Sequence, residues 1–235
     1  MDRTLERWSR GHALAILPAA CVALSLGHAW PVAFAGATSF AILLKSARGG
    51  FTPGSGFGAA NLVTSLRLGL VLALGLVASA VPGPLLGAVV LGIFALDGVD
   101  GWLARRRGTA SEFGAHFDME VDALMVLMAE LVLWQRGFPV WVLASGILRY
   151  LYVLALALHP APGGPLPRSR FGRYAFAALA VGLVVALALP GTPASAALVI
   201  GTCLVSASFA RAFHWSYRSP QAGSAPPLAD IAAGR

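Results

Sequence analysis

DGVDGWLARRRGTASEFGAHFDMEVD, residues 97–122, decides how this chain is read. The protein has only ten acidic residues, and six of them fall in this window: Asp97, Asp100, Glu112, Asp118, Glu120 and Asp122. Long apolar runs lie on both sides. In a helix ending LGIFALDGVDGWLARRR, Asp97 and Asp100 are three residues apart and share a face. Ala104 continues that face by a turn. The next helix is predicted to start within TASEFG, where Thr109 and Glu112 have capping-box spacing. From there Gly114, Asp118 and Asp122 step by four along one side. Two helices joined by a short loop therefore present two aspartates each, and facing one another they would gather four carboxylates.

Four unpaired carboxylates at close range repel, and in a low dielectric they would largely protonate. A positive partner is required. The ligands on offer are hard oxygens, and no Cys or His pair lies nearby, so the chemistry favours Mg²⁺ or Mn²⁺ over zinc. Magnesium held by a few carboxylates completes its shell with water and phosphate oxygens. The window thus points to a divalent cation and a phosphate-bearing substrate. Gly101, Ala104 and Gly114 leave space beside the aspartates, although small residues also serve close packing of membrane helices.

The flanks place this cluster in a membrane. The chain has 235 residues, 57% hydrophobic and 11% charged, with mean hydropathy +0.75. Soluble domains carry about 25% charged residues. Eight apolar segments, near 12–28, 31–45, 60–81, 84–103, 113–135, 138–158, 172–189 and 194–214, approach the roughly 20 residues that a bilayer crossing needs. The first two are short and contain or abut Pro18 and Pro31, so they read either as spans or as a re-entrant hairpin.

With the N-terminus in the cytoplasm, fourteen of the 17 basic residues fall in inside segments and only Arg136 falls outside. Arg67 and Arg149 lie within spans. This bias predicts a multi-pass protein of the cell (inner) membrane with both termini and the aspartates at the cytoplasmic face. The net charge of +7 is explained by these orienting loops. Nucleic acid is not expected as a partner, because no basic patch is interleaved with aromatics. Cys21 and Cys203 have no pair spacing and are expected in the core. The first segment resembles a signal peptide but lacks a small-x-small cleavage site, so an uncleaved anchor is expected. The organisation predicted is an N-terminal membrane hairpin (1–48), a glycine-rich connector (49–59), a six-helix membrane domain (60–218) and a disordered tail (219–235).

Residues 97–122 also read as D-x2-D-G-x2-A-R-x8-G-x3-D-x3-D. This is similar to the signature of the CDP-alcohol phosphotransferase family at all eight fixed letters: Asp97, Asp100, Gly101, Ala104, Arg105, Gly114, Asp118 and Asp122. With residue frequencies of roughly 5–10% each, a chance match at a given start is rarer than about one in 10⁹. NLVTSLR (61–67) resembles the start of the family's first core helix, with Ala60 where a proline is usual. The resemblance implies an all-α membrane fold with a six-helix core, here preceded by two additional segments.

It also implies a reaction: an acceptor hydroxyl displaces CMP from a CDP-linked lipid or alcohol. By the same resemblance, Asp97, Asp100 and Asp118 hold divalent metal on the pyrophosphate. Asp122 shares a second metal and takes the proton from the attacking hydroxyl. Gly101 and Ala104 make room for the cytidine nucleotide, and Arg105 and Ser111 contact it. Ala60, Asn61, Leu62 and Val63 line the same pocket. A CDP-diacylglycerol-like donor, a small polar or lipid alcohol, membrane lipids and a second copy of the chain are the implied partners.

Outside the signature, Arg149 lies mid-span. A lone charge there is costly and should face a cavity and an anion, or else pair with a residue such as Glu130. Arg67 is a further pocket candidate. Arg168, Arg170 and Arg173 either meet a phosphorylated acceptor or orient the protein. His116 is expected to be structural, Glu112 to cap its helix and Glu120 to point away from the metal face. Members making phosphatidylglycerol phosphate often carry Asp-Lys where this chain has Asp122-Ala123, which disfavours that acceptor. The competing readings are an aspartate-rich prenyltransferase and a cation-coupled transporter.

Overall fold

The computed structural model describes residues 3–47, 51–52, 56–107, 111–159, 170–189 and 191–218; the side chains of residues 3, 99–105, 107, 192–194 and 218 also lie outside the description. The predicted tail, Arg168 and part of the connector fall on the undescribed residues. The described residues form eight α-helices and no strands: α1 (Arg3–Leu26), α2 (Trp30–Ser46), α3 (Ala59–Val77), α4 (Gly83–Arg107), α5 (Glu112–Gln135), α6 (Ala144–Leu158), α7 (Arg170–Ala188) and α8 (Thr192–Arg218). Short 3₁₀ turns at Ala78–Ala80 and Val140–Leu143 follow α3 and lead into α6. This all-α membrane architecture is the one expected from the sequence. α1 starts well before the predicted residue 12, because Leu5, Trp8, Ser9, His12, Ala13, Ile16, Ala20 and Ala23 make one continuous buried stripe.

Five of these helical segments, Thr4–Leu26, Ala59–Ala80, Val140–Leu158, Arg170–Ala188 and Ser195–Tyr217, are long and apolar enough to cross a bilayer. The chain is a multi-pass integral membrane protein. Large apolar side chains stand exposed around the bundle, among them Phe34, Leu62, Leu76, Leu158, Val181 and Ile200. Such a surface is stable against lipid and not against water. Cys21 and Cys203 belong to it: both are exposed, not in the core as expected. A thiol behaves as a small apolar group and sits against lipid without penalty.

α5 is the inverse case. Every residue from Leu124 to Leu133 is buried, because α1, α2, α3, α6 and α7 surround it. It therefore faces protein on all sides, and polar residues that lipid would reject can be satisfied by neighbouring helices. His116, Glu120 and Glu130 are all buried on it. Its start lies beside the starts of α1 and α3, as the contacts Ser9–His116 and Asn61–Gly114 require. The site described below occupies that end of the bundle.

α7 and α8 pack closely through small residues. A Cβ on Gly201 would lie 2.6 Å from Leu179 Cα, and one on Gly182 would lie 2.9 Å from the Ala197 carbonyl. Backbone atoms cannot rotate away, so the helices would have to separate. Gly201→Ala is expected to cost about 1–3 kcal/mol by overpacking. Gly92→Ala on α4, where an added Cβ meets nothing within 4 Å, should be neutral or stabilising through helix propensity. Thermal unfolding of both variants in detergent checks the contrast.

Candidate active site and metal centre

Three helices build the site. α4 contributes Asp97, α5 contributes Asp118 and Asp122, and α3 contributes Arg67. One carboxylate oxygen from each of the three aspartates lies within 4.8 Å of the others. The step of four between Asp118 and Asp122 puts both on one side of α5, as the sequence predicts. Asp100, Gly101, Ala104 and Arg105 follow on α4, with side chains outside the described part.

The positive partner among these carboxylates is Arg67. Its side chain is fully buried, and its Nη1 lies 3.1 Å from Asp97 Oδ1 and 2.5 Å from Asp118 Oδ1. Its Nη2 donates to Asp122 Oδ1. The sequence marked Arg67 as a pocket candidate but named no partner for it, because two of the aspartates it meets are 51 and 55 residues away on α5.

The donor set fits a hard divalent cation. It is all carboxylate, with no Cys or imidazole among the three, and the side chains are 35%, 34% and 21% exposed at Asp97, Asp118 and Asp122. Among the described side chains three carboxylates gather at one guanidinium, an oxygen-rich arrangement of the kind a hard dication takes.

The start of α5 differs from the sequence expectation. The N-cap is Ser111, whose Oγ accepts from the Gly114 amide at 2.9 Å; Thr109 lies outside the described residues. Ser111 sits immediately before the helix in extended backbone, where its hydroxyl reaches the third amide. The same hydroxyl donates to the Phe51 carbonyl at 2.7 Å. Asn61 Nδ2 donates to the Phe57 carbonyl at 2.7 Å and to the Phe51 carbonyl at 3.4 Å. Asn61 and Ser111, expected to meet the nucleotide, here hold the connector across the starts of α3 and α5. Gly114 permits this: a Cβ there would lie 2.9 Å from Asn61 Oδ1. Ala60 and Val63 are half-buried, while Leu62 is 64% exposed on the outer surface of α3.

Beside the aspartates lies a cavity of about 400 Å³, lined by Asp118, Asp122 and Arg149 and walled by apolar residues of α7 and α8 such as Phe176, Leu179 and Phe209. Arg149 reaches it from α6 as the sequence expects, but its ion-pair partner is not Glu130. Arg149 Nη2 donates to Glu120 Oε1 at 2.6 Å. Glu130 lies farther along α5, where it accepts from the Ser145 hydroxyl and from the Gly146 amide at 2.8 Å. Three turns of helix separate the two glutamates, and α6 meets them at different levels. Arg136 Nη2, at the opposite end of α5, donates to the carbonyls of Ala78 and Val81 and fixes the turn between α3 and α4.

The family model for CDP-alcohol phosphatidyltransferase matches residues 57–209, well over half of the chain. The chain belongs to the CDP-alcohol phosphatidyltransferase family. No curated protein matches it in sequence. The matched segment spans α3 to most of α8 and contains the three aspartates, Arg67 and Arg149. Family membership makes the protein a CDP-alcohol phosphotransferase, an enzyme of phospholipid-type phosphotransfer. α1 and α2 lie outside the match.

Proposed function

We propose that this CDP-alcohol phosphotransferase moves a phosphatidyl group from CDP-diacylglycerol to an alcohol and releases CMP. The observation that carries this reading is the convergence of Asp97, Asp118 and Asp122, the last two of which line a cavity whose other wall is apolar. Asp97, Asp118 and Asp122, with Asp100 from the same turn of α4, are the residues that would hold Mg²⁺ or Mn²⁺ at two sites. Bound there, the metal supplies positive charge to the pyrophosphate and to the departing CMP.

The chain's own residues do the rest. Asp122 accepts the proton of the acceptor hydroxyl as its oxygen bonds to the phosphatidyl phosphorus, and the bond from that phosphorus to the CMP oxygen breaks. Arg149 orients the acceptor in the cavity. Gly101, Ala104, Arg105 and Ser111, with Asn61 and its neighbours Ala60 and Val63, form the nucleotide side, while Leu62, on the outer surface of α3, does not contribute. The apolar wall suits a donor whose tails stay in the bilayer. The site end faces the cytoplasm, as the basic loops argue. Family membership sets prenyl transfer and ion transport aside as the principal activity.

The test supplies purified protein with CDP-diacylglycerol, Mg²⁺ or Mn²⁺, and a panel of alcohols: inositol phosphate, serine, glycerol phosphate, amino alcohols and lipid alcohols. CMP release that depends on one acceptor is expected. Folded protein that releases no CMP with any of them would refute the donor.

A further inference from the structure

The N-terminal hairpin reaches the acceptor side of the cavity through one buried chain of hydrogen bonds. Ser9 of α1 donates its hydroxyl proton to Glu120 Oε1 at 2.9 Å, and the same oxygen accepts from Arg149 Nη2 at 2.6 Å. Ser9 Oγ also lies 2.7 Å from His116 Nε2. A serine has one proton to give, and the carboxylate can only accept, so His116 Nε2–H donates to Ser9. Ser9, His116 and Glu120 are 5%, 6% and 1% exposed, so water does not compete for these bonds. One carboxylate oxygen thus ties α1 and α6 to α5, and the tie ends on a guanidinium at the cavity wall.

The hairpin is itself fixed in register above that tie. Trp8 Nε1 donates to the Ser39 carbonyl at 2.8 Å, and His12 Nδ1 lies 2.8 Å from Ser39 Oγ. The Trp8 and His12 rings stack with centroids 4.8 Å apart. These contacts join α1 to α2 without touching Glu120. The hairpin lies outside the residues 57–209 that match the family.

We propose that Ser9 is a positioning residue of the acceptor pocket: through Glu120 it fixes the Arg149 guanidinium that the acceptor alcohol meets. This rests on the reading of the cavity as the acceptor site. A long arginine side chain held at only one point samples several rotamers. The Ser9 hydroxyl fixes the carboxylate to which Arg149 is bound, so the guanidinium is presented in one pose before the acceptor arrives. The Arg149 charge is also balanced within the protein, so the pocket does not require an anionic acceptor to offset it.

The test compares Ser9→Ala with Ser39→Ala, which loosens the same hairpin away from Glu120. Steady-state kinetics are measured with the acceptor that gives CMP release. The Arg149 side-chain ¹⁵N resonance, assigned as the one missing in Arg149→Lys, is followed in parallel. Ser9→Ala should raise the acceptor KM about tenfold, equivalent to ~1.4 kcal/mol, with kcat and donor KM held within about twofold. It should also move the Arg149 resonance. Ser39→Ala should lower thermal stability and do neither. An Arg149 resonance unmoved by Ser9→Ala would overturn the proposal, as would equal losses in both variants that follow their folded fraction. If the wild type releases no CMP, the functional reading fails on its own. The resonance then decides the linkage: displaced only by Ser9→Ala it stands, otherwise it falls.

Discussion

Asp122→Asn should slow CMP release by about 10²- to 10⁴-fold, the range that a positioned general base supplies. The variant should remain as stable as the wild type. The geometry argues for both parts of that result. Asp122 is one of three carboxylates gathered around one guanidinium, so removing its charge leaves Arg67 still paired with Asp97 and Asp118 and relieves repulsion among the acids. Asparagine keeps the shape and an oxygen that can accept from Arg67. What it lacks is the ability to take up a proton. CMP release and thermal unfolding measured on one preparation separate these effects. A wild-type rate would remove Asp122 from its assigned role, and a collapse in stability would show that the charge is structural.

This centre was legible in the sequence because its parts are local. Asp118 and Asp122 fall one turn apart on a single helix, and Asp97 sits on the helix before, so periodicity and a short loop suffice to bring them together. The cation among them was not legible. Arg67 could be placed on α3, but its partners depend on how α3 packs against α4 and α5. The same limit hid the Ser9–Glu120 bond, which spans 111 residues of sequence. It also left Glu130 as the alternative partner of Arg149 where the structure has Glu120: both glutamates lie on α5, and only the height at which α6 crosses distinguishes them. Ser111 had a local signal as a helix cap, a serine three residues before Gly114, but Thr109, with the acidic Glu112 at the same spacing, completes a capping box and drew the assignment away from it. The eight helices were recoverable from hydropathy alone, apart from the start of α1, where the buried stripe runs through a polar sequence that a lipid-facing criterion passes over.

Arg67→Gln should make the stability of the protein depend on divalent metal. Arg67 is fully buried, and its guanidinium contacts all three aspartates. Taking one partner from a buried ion pair typically costs about 3–5 kcal/mol, because the charges left behind have lost their compensation. Here the carboxylates are 21–35% exposed and partly solvated, which favours the lower end of that range. In chelator, the variant's unfolding temperature is therefore expected to fall by on the order of 10 °C. Adding Mg²⁺ or Mn²⁺ should recover much of the loss, since a ligand that binds only the folded state stabilises it by mass action. The wild type should respond less to the same addition, because there the metal competes with a guanidinium already hydrogen-bonded to the same oxygens. Metal titrations of both proteins, followed by thermal unfolding in detergent, give the comparison directly. Equal metal responses would mean that Arg67 and the cation do not share these carboxylates, and the three aspartates would then have to be read as a site in which the arginine, not a metal, is the permanent counter-charge.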